Sequence, residues 1–156
     1  MKIEATLNVN GTDYPVQIDP HLSLLKTVRD EIGLTGSKEG CDDSECGACM
    51  MLLDGEPVNA CSYLAVQSEG REITTVEGLA GDDLSPLQRA FLDNGGVQCG
   101  FCTPGMVMAA AALLDKNNKP TLEEIRNGLA GNLCRCTGYT KIFEAVELAA
   151  QRMRGA

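Results

Sequence analysis

The sequence predicts an α+β domain followed by an all-α domain, and three features of the 156-residue chain predict this division. Strand patterns with two-residue turns fill the first half, helix-capping patterns fill the second, and each half contains four of the eight cysteines. Domains below about 80 residues have small cores and often need a metal or another cross-link. We therefore expect one domain over residues 1–78 and a second over residues 79–156, each holding a metal group.

The first half opens with a strand and a tight turn. Residues 3–9 alternate apolar and polar side chains, which is typical of a half-buried strand. Asn10-Gly11 is a hairpin turn signal, and a second strand follows through Ile18. We also expect a helix over 24–32 and strands at 50–53, around Val58 and at 73–76. One helix packed on a mixed sheet is the arrangement that this order predicts.

The second half carries the start signals of four helices. Ser85-Pro86-Leu87-Gln88 is a capping box with proline at the first helical position, and it follows an expected linker at 78–83. Further helices are expected over 104–116 and 121–129, and from Thr140 onward. Short helices joined by short loops predict a small four-helix bundle.

The first cysteine group follows the pattern C-x4-C-x2-C, and eleven residues separate its third member from a fourth cysteine. This is the plant-type spacing of a [2Fe–2S] cluster. Glycines at 40 and 47 let the loop backbone approach the sulfides with its N–H groups turned inward. The expected ligands are Cys41, Cys46, Cys49 and Cys61.

The second cysteine group is a C-x2-C pair followed, after thirty-one residues, by Cys134-Arg135-Cys136. Its members precede helix starts, where unpaired N–H groups and the helix dipole favour an anionic site. Zinc–thiolate sites are anionic too, so the spacing alone leaves a cluster and zinc both open. Disulfides need an oxidising compartment, and the chain shows no signal peptide, so we expect reduced cysteines and a cytoplasmic protein.

Charge and composition exclude several classes of function. The chain has 13 basic and 22 acidic residues, a net charge of −9, which argues against nucleic acid and against anionic membrane surfaces. Its longest apolar stretch, 106–114, is too short to be inserted across a membrane. No residue pattern indicates a nucleophile paired with a base, so no catalytic residue is predicted in this chain.

Three motifs together resemble a known family. They are Gly-Cys-Asp-Asp-Ser-Glu-Cys-Gly-Ala-Cys at 40–49, Gln-Cys-Gly-Phe-Cys-Thr-Pro-Gly-Met at 98–106 and Gly-Asn-Leu-Cys-Arg-Cys-Thr-Gly-Tyr at 131–139. They resemble the small [2Fe–2S] subunit of the xanthine oxidase family of molybdenum hydroxylases. The resemblance runs from about Ile3 to Ala150, with no departure at a ligand position.

The resemblance implies a plant-type ferredoxin-like β-grasp domain followed by a helical [2Fe–2S] domain. The first cysteine group would then hold the cluster nearer FAD. The cluster nearer molybdopterin would be held by Cys99, Cys102, Cys134 and Cys136. The resemblance also implies that Gln98 and the backbone beside Cys136 contact the molybdopterin cofactor.

The resemblance further implies an oxidoreductase assembled from separate chains. A large molybdopterin subunit would carry out the substrate chemistry, and a medium subunit would hold FAD. This chain would pass single electrons from the molybdenum centre through two clusters to FAD, in a heterotrimer or a dimer of heterotrimers. Two alternatives are a free two-cluster ferredoxin and a structural zinc module.

Overall fold

The N-terminal half folds into a five-stranded mixed sheet in the computed structural model, which describes residues 1–155. The strands are β1 Ile3–Val9, β2 Thr12–Ile18, β3 Met50–Leu53, β4 Glu56–Asn59 and β5 Glu72–Thr74. Their order across the sheet is β2-β1-β5-β3-β4; β1 and β5 are parallel and every other neighbouring pair is antiparallel. The predicted mixed sheet and β-grasp arrangement are confirmed.

Both predicted two-residue turns lie where positive φ angles are needed. Asn10 and Gly11 join β1 to β2 with φ of 53° and 75°, and Asp54 and Gly55 join β3 to β4 with φ of 52° and 81°. Two successive residues with positive φ match the right-handed twist of paired strands. The register of each hairpin therefore follows from its turn sequence.

The helix expected over 24–32 differs from the prediction. It consists of a single α-helical turn, α1 (Leu24–Lys26), followed by a π-helical turn at Thr27–Glu31. The N–H of Ile32 donates to the Thr27 carbonyl at 3.1 Å, five residues back. The Thr27 hydroxyl also donates to the Ser23 carbonyl, and such bonds compete with the regular helical ladder. The segment still buries Leu24, Leu25 and Val28 against the sheet.

The strand expected at 73–76 ends two residues early. The N–H of Thr75 donates to the Asn10 side-chain oxygen at 2.9 Å, so it takes no part in strand pairing. Residues Val76–Leu79 form a 3-10 turn instead. Val76 and Leu79 pack against a small apolar group of Leu52, Met108 and Ala112, which lies between the two halves of the chain.

The C-terminal half is a bundle of four helices, as predicted. They are α2 Pro86–Asp93, α3 Thr103–Lys116, α4 Leu122–Gly128 and α5 Thr140–Arg154. Both expected capping boxes are present, at Ser85 with Gln88 and at Thr121 with Glu124. Large buried side chains from each helix, including Phe91 of α2, form the core. None of the helices in residues 1–155 is both long enough and apolar enough to cross a membrane.

Candidate metal centres

The first cysteine group lies in an irregular loop before β3 and just after β4. None of its four cysteines forms a disulfide. The N–H of Cys46 points at the sulfur of Cys41 at 3.4 Å, and the thiols of Cys49 and Cys61 lie close enough for each to shift the pKa of the other. The structure therefore brings together the four cysteines that the sequence predicts as ligands.

The backbone of this loop is bent by left-handed residues. Asp42, Ser44 and Gly47 have φ of 62°, 67° and 70°, so left-handed residues recur within the loop. Left-handed residues that alternate with right-handed ones turn neighbouring N–H groups toward one side, and the concavity they form suits anions. A Cβ atom on Gly40 would lie 2.8 Å from the sulfur of Cys46, so only glycine leaves that side of the sulfur open. The loop fits an anionic iron–sulfur group.

The second cysteine group lines a cavity of about 390 Å³. Cys99 and Cys102 come from the segment before and at the start of α3, and Cys134 and Cys136 come from the loop before α5. Cys99 and Cys136 are exposed, whereas Cys102 and Cys134 are half-buried. Phe101, Leu133, Arg135 and Tyr139 complete the lining of the cavity.

The thiols of the first group differ in their acidity. Burial raises the pKa of Cys49 to about 12, and the neighbouring Cys61 and Cys46 contribute to the rise. Burial also raises the pKa of Cys46, with further contributions from Cys41 and Cys61. For Cys61 burial again raises the pKa, but hydrogen bonds from Ser62, Ser44 and Cys49 outweigh it, so its pKa is lowered overall.

In the second group, too, one thiol has a raised pKa and a neighbouring thiol has a lowered one. Burial raises the pKa of Cys102 to about 12, helped by Cys134 and Cys99. Burial also acts on Cys134, but hydrogen bonds from Thr137 and Cys102 outweigh it and lower its pKa overall. The hydrogen bond with Cys99 is the main cause that raises the pKa of Cys136. Each thiol thus has a thiol neighbour within its own group.

Each of the two cysteine groups offers four free thiols as ligands for a metal group. A structural zinc ion needs four such ligands around one point. A [2Fe–2S] cluster spreads four thiolates over two irons, so pairs of neighbouring thiols suit it. Four thiols are the donor set of both kinds of site, so the donor set alone does not choose between a cluster and zinc.

The two cysteine groups are in direct contact through their loops. The N–H of Leu133 donates to the carbonyl of Cys46 at 2.9 Å, and the buried Asn132 amide donates to the carbonyl of Gly47 at 3.0 Å. A Cβ atom on Gly105, in the first turn of α3, would lie 2.1 Å from that same Gly47 carbonyl. One loop of the N-terminal half is therefore held between two segments of the helical half.

Gln98 directly precedes the second cysteine group in the chain. Gln98 is exposed and directly precedes the exposed Cys99, whose thiol helps to raise the pKa of Cys136. Gln98 and Cys136 are both exposed, and only Cys136 of the two lines the cavity. Their expected contact with molybdopterin stays a prediction.

Comparison with known proteins assigns both halves of the chain to iron–sulfur domains. Residues 7–80 match a 2Fe-2S iron-sulfur cluster binding domain, and residues 75–147 match a [2Fe-2S] binding domain. The chain is 51% identical over 152 residues to the nicotinate dehydrogenase small FeS subunit of Eubacterium barkeri, covering 97% of each chain. It is 50% identical to the xanthine dehydrogenase iron-sulfur-binding subunit of Escherichia coli O157:H7, covering 92% of this chain and 91% of that one.

The chain belongs to the small iron–sulfur subunits of the xanthine oxidase family of molybdenum hydroxylases. The small subunit therefore carries two [2Fe–2S] clusters and transfers electrons within a multi-subunit oxidoreductase. This excludes the zinc module and disfavours the free ferredoxin, the two alternatives that the sequence left open.

Solved structures of the family have the same fold. Quinoline 2-oxidoreductase from Pseudomonas putida 86 superimposes with a TM-score of 0.95 at 40% identity, over 99% of this chain and 98% of that one. Aldehyde oxidoreductase from Desulfovibrio gigas gives a TM-score of 0.93 at 41% identity, and there the match covers 98% of this chain but 17% of that one. The small subunit thus corresponds to one part of a longer chain in the second enzyme.

Three residues of the small subunit's site escaped the sequence prediction. Gly105 and Asn132 lie within the motifs at 98–106 and 131–139, but they act through contacts with a distant segment that the motifs do not indicate. Thr137 lies 3.1 Å from the sulfur of Cys134, and its signal was a hydroxyl three residues after an expected ligand. Hydrogen bonds to ligand sulfurs are a recognised property of iron–sulfur sites, so that signal was available in the motif.

Proposed function

We propose that the first cysteine group holds the cluster nearer FAD and that the second holds the cluster nearer molybdopterin. The ligands would be Cys41, Cys46, Cys49 and Cys61 at the first site and Cys99, Cys102, Cys134 and Cys136 at the second. When bound, each cluster accepts and releases one electron at a time. The small subunit would thus pass single electrons from its helical half to its sheet half.

The contact between the two loops is the observation that carries this proposal. A single hydrogen bond, from the N–H of Leu133 to the carbonyl of Cys46, links the residue before Cys134 to an expected ligand of the other cluster. The buried Asn132 amide holds the neighbouring Gly47 carbonyl at 3.0 Å. These bonds keep the two sites at a constant separation, which supports electron transfer between them.

The exposed side of the second group supports its orientation toward molybdopterin. Cys99 and Cys136 are exposed, whereas Cys49 and Cys61 of the first group are buried. The apolar side chains of Phe101 and Leu133 are 48% and 57% exposed beside the same cavity. A large subunit that covers this face would bring its cofactor close to Gln98 and to the backbone beside Cys136.

We infer that the partners are a large molybdopterin subunit and a medium FAD subunit, in a heterotrimer or a dimer of heterotrimers. Relatives of nearly full-length coverage are described as small subunits, which supports partner chains of larger size. Folding units over residues 1–78 and 79–156 remain a prediction. So does a cytoplasmic location, which agrees with eight unpaired cysteines.

The substrate of the assembled enzyme is proposed to be chosen by the large subunit. The chain is 51% identical to a subunit described for nicotinate, 48% to one from Paenarthrobacter nicotinovorans described for nicotine, and 50% to one described for xanthine. Near-equal identity to three proteins with different substrates indicates that the sequence of this subunit depends little on the substrate of the assembled enzyme.

Matched ligand substitutions in the assembled enzyme test the proposal. Cys46→Ser should remove or alter the EPR signal of one cluster, and Cys136→Ser should alter the signal of the other. Cys136→Ser should also slow reduction of the remaining cluster by substrate, because electrons would enter through the second group. In Cys46→Ser, substrate should still reduce the second cluster at the normal rate.

Two outcomes would contradict the proposal. Loss of both EPR signals in either variant, with the protein still folded, would argue against separate sites. A full cluster content in a lone species of 16.6 kDa in native preparations would contradict the permanent partners.

A further inference from the structure

Thr137 lies in the short turn between Cys136 and the start of α5. Its hydroxyl oxygen lies 3.1 Å from the sulfur of Cys134, within hydrogen-bond distance. The side chain is half-buried beside the cavity that all four cysteines of this group line. Thr137 is therefore a neutral polar group in contact with an expected ligand and partly shielded from solvent.

The surrounding turn determines which way the Thr137 hydroxyl points. The N–H of Tyr139 donates to the Thr137 hydroxyl oxygen at 3.2 Å, and the N–H of Cys134 donates to the Tyr139 hydroxyl at 2.9 Å. With its oxygen accepting from Tyr139, the Thr137 hydroxyl has its single hydrogen left for the sulfur. A metal-bound thiolate has no hydrogen of its own, so the hydroxyl is the donor in the assembled site.

The backbone of this turn is strained in a way that maintains the contact. Gly138 and Tyr139 have φ of 67° and 70°, and Tyr139 is not a glycine. A non-glycine residue in the left-handed region is strained and persists where the surroundings hold it in place. Here the two hydrogen bonds of Tyr139, one to each side of the turn, hold it.

We propose that Thr137 is a positioning residue that raises the reduction potential of the second cluster by donating a hydrogen bond to Cys134. The proposal rests on the ligand role of Cys134 in the proposed function. A donor to a ligand sulfur stabilises the more negative, reduced state more than the oxidised state, so it favours reduction. One electron is gained in that step, no bond is formed or broken, and the hydroxyl proton stays on Thr137.

The first cysteine group contains a similar but longer contact between a hydroxyl and a cysteine sulfur. The Ser62 hydroxyl lies 3.6 Å from the sulfur of Cys61, Ser62 is exposed, and its hydroxyl also contacts that of Ser44. A longer and solvated contact has a smaller electrostatic effect than the 3.1 Å contact of Thr137. Ser62→Ala is therefore a comparator for the other cluster.

Redox titration of the assembled enzyme, followed by the EPR signal of each cluster, tests the proposal. At the wild-type midpoint potential, Thr137→Val should lower the ratio of reduced to oxidised second cluster about tenfold, which is a midpoint shift of about −59 mV for one electron. The first cluster should be unchanged. Thr137→Ser keeps the hydroxyl and should stay close to wild type, and Ser62→Ala should shift only the first cluster, by less.

A control separates the hydrogen bond from the shape of the turn. Tyr139→Phe removes the acceptor for the Cys134 N–H but leaves the Thr137 hydroxyl, so the second midpoint should move much less than in Thr137→Val. The proposal is overturned if Thr137→Val keeps both clusters with an unchanged second midpoint, or if Thr137→Ser shifts it equally. Should Thr137→Val lose the cluster, Thr137→Ala is titrated instead, and loss there too makes the role of Thr137 structural and overturns the proposal.

The ligand assignment fails separately from the role of Thr137. If Cys134→Ser retains an unaltered second cluster, the assignment of Cys134 is wrong. If Cys134→Ser alters that cluster while Thr137→Val leaves its midpoint unchanged, the assignment stands and only the tuning role is wrong.

Discussion

Gly105→Ala should destabilise the small subunit, although the same change stabilises most helices. In an exposed helix interior, alanine is more favourable than glycine by about 1 kcal/mol. Gly105 is instead buried in the first turn of α3, and its new Cβ atom would lie 2.1 Å from the Gly47 carbonyl oxygen and 3.2 Å from the Ala48 Cα. Both neighbours are backbone atoms, so no side chain can rotate away.

The size of the effect follows from the displacement required. Real Cβ contacts essentially never fall below 3.0 Å, so the Gly47 carbonyl must recede by about 0.9 Å. That movement strains its 3.0 Å hydrogen bond from Asn132. Overpacking costs about 1–3 kcal/mol and a lost hydrogen bond about 1 kcal/mol, so the free energy of unfolding should fall by about 2–4 kcal/mol.

Thermal loss of the visible absorbance of the clusters measures the effect. For a chain of this size about 1 kcal/mol corresponds to about 2–4 °C, so the midpoint should fall by roughly 5–15 °C. Gly131→Ala is the matched control, because its Cβ atom would meet nothing within 4 Å although it lies in the neighbouring loop. The reasoning is refuted if Gly105→Ala raises the midpoint, or if it matches the control.

Two further predictions concern stability. Asn132→Ala removes the buried donor to the Gly47 carbonyl and should lower the free energy of unfolding by about 1–3 kcal/mol, measured by the same thermal assay; a midpoint equal to that of wild type would contradict it. The Arg71 guanidinium and the Glu72 N–H hold the pKa of Asp54 below its usual range, so the ionised form stabilises the fold. That contribution is present above the unfolded pKa and is lost as pH falls through the folded pKa. Asp54→Asn should therefore be less stable than wild type near neutral pH, with the difference vanishing in acid; a difference that grows in acid would show the opposite sign.

Local patterns in the sequence determined most secondary structure and one of the two sites. The hairpin at Asn10-Gly11 and the capping box at Ser85 depend on residues within four positions of each other, so both can be recognised in the sequence alone. The same holds for the C-x4-C-x2-C loop, where three expected ligands lie within nine residues. The π-helical turn at Thr27–Glu31 escaped prediction because apolar spacing does not distinguish a widened turn from a regular helix.

Only the tertiary structure decided how the second site is built and how it meets the first. Cys102 and Cys134 are separated by thirty-one residues, and their spacing alone allowed zinc as well as a cluster. The Asn132 amide reaches a carbonyl 85 residues away, and Gly105 has no side chain because the backbone of Gly47 passes beside it. Hydrogen bonds and close approaches of this kind depend on where chain closure brings distant segments, and neither periodicity nor capping patterns carry that information.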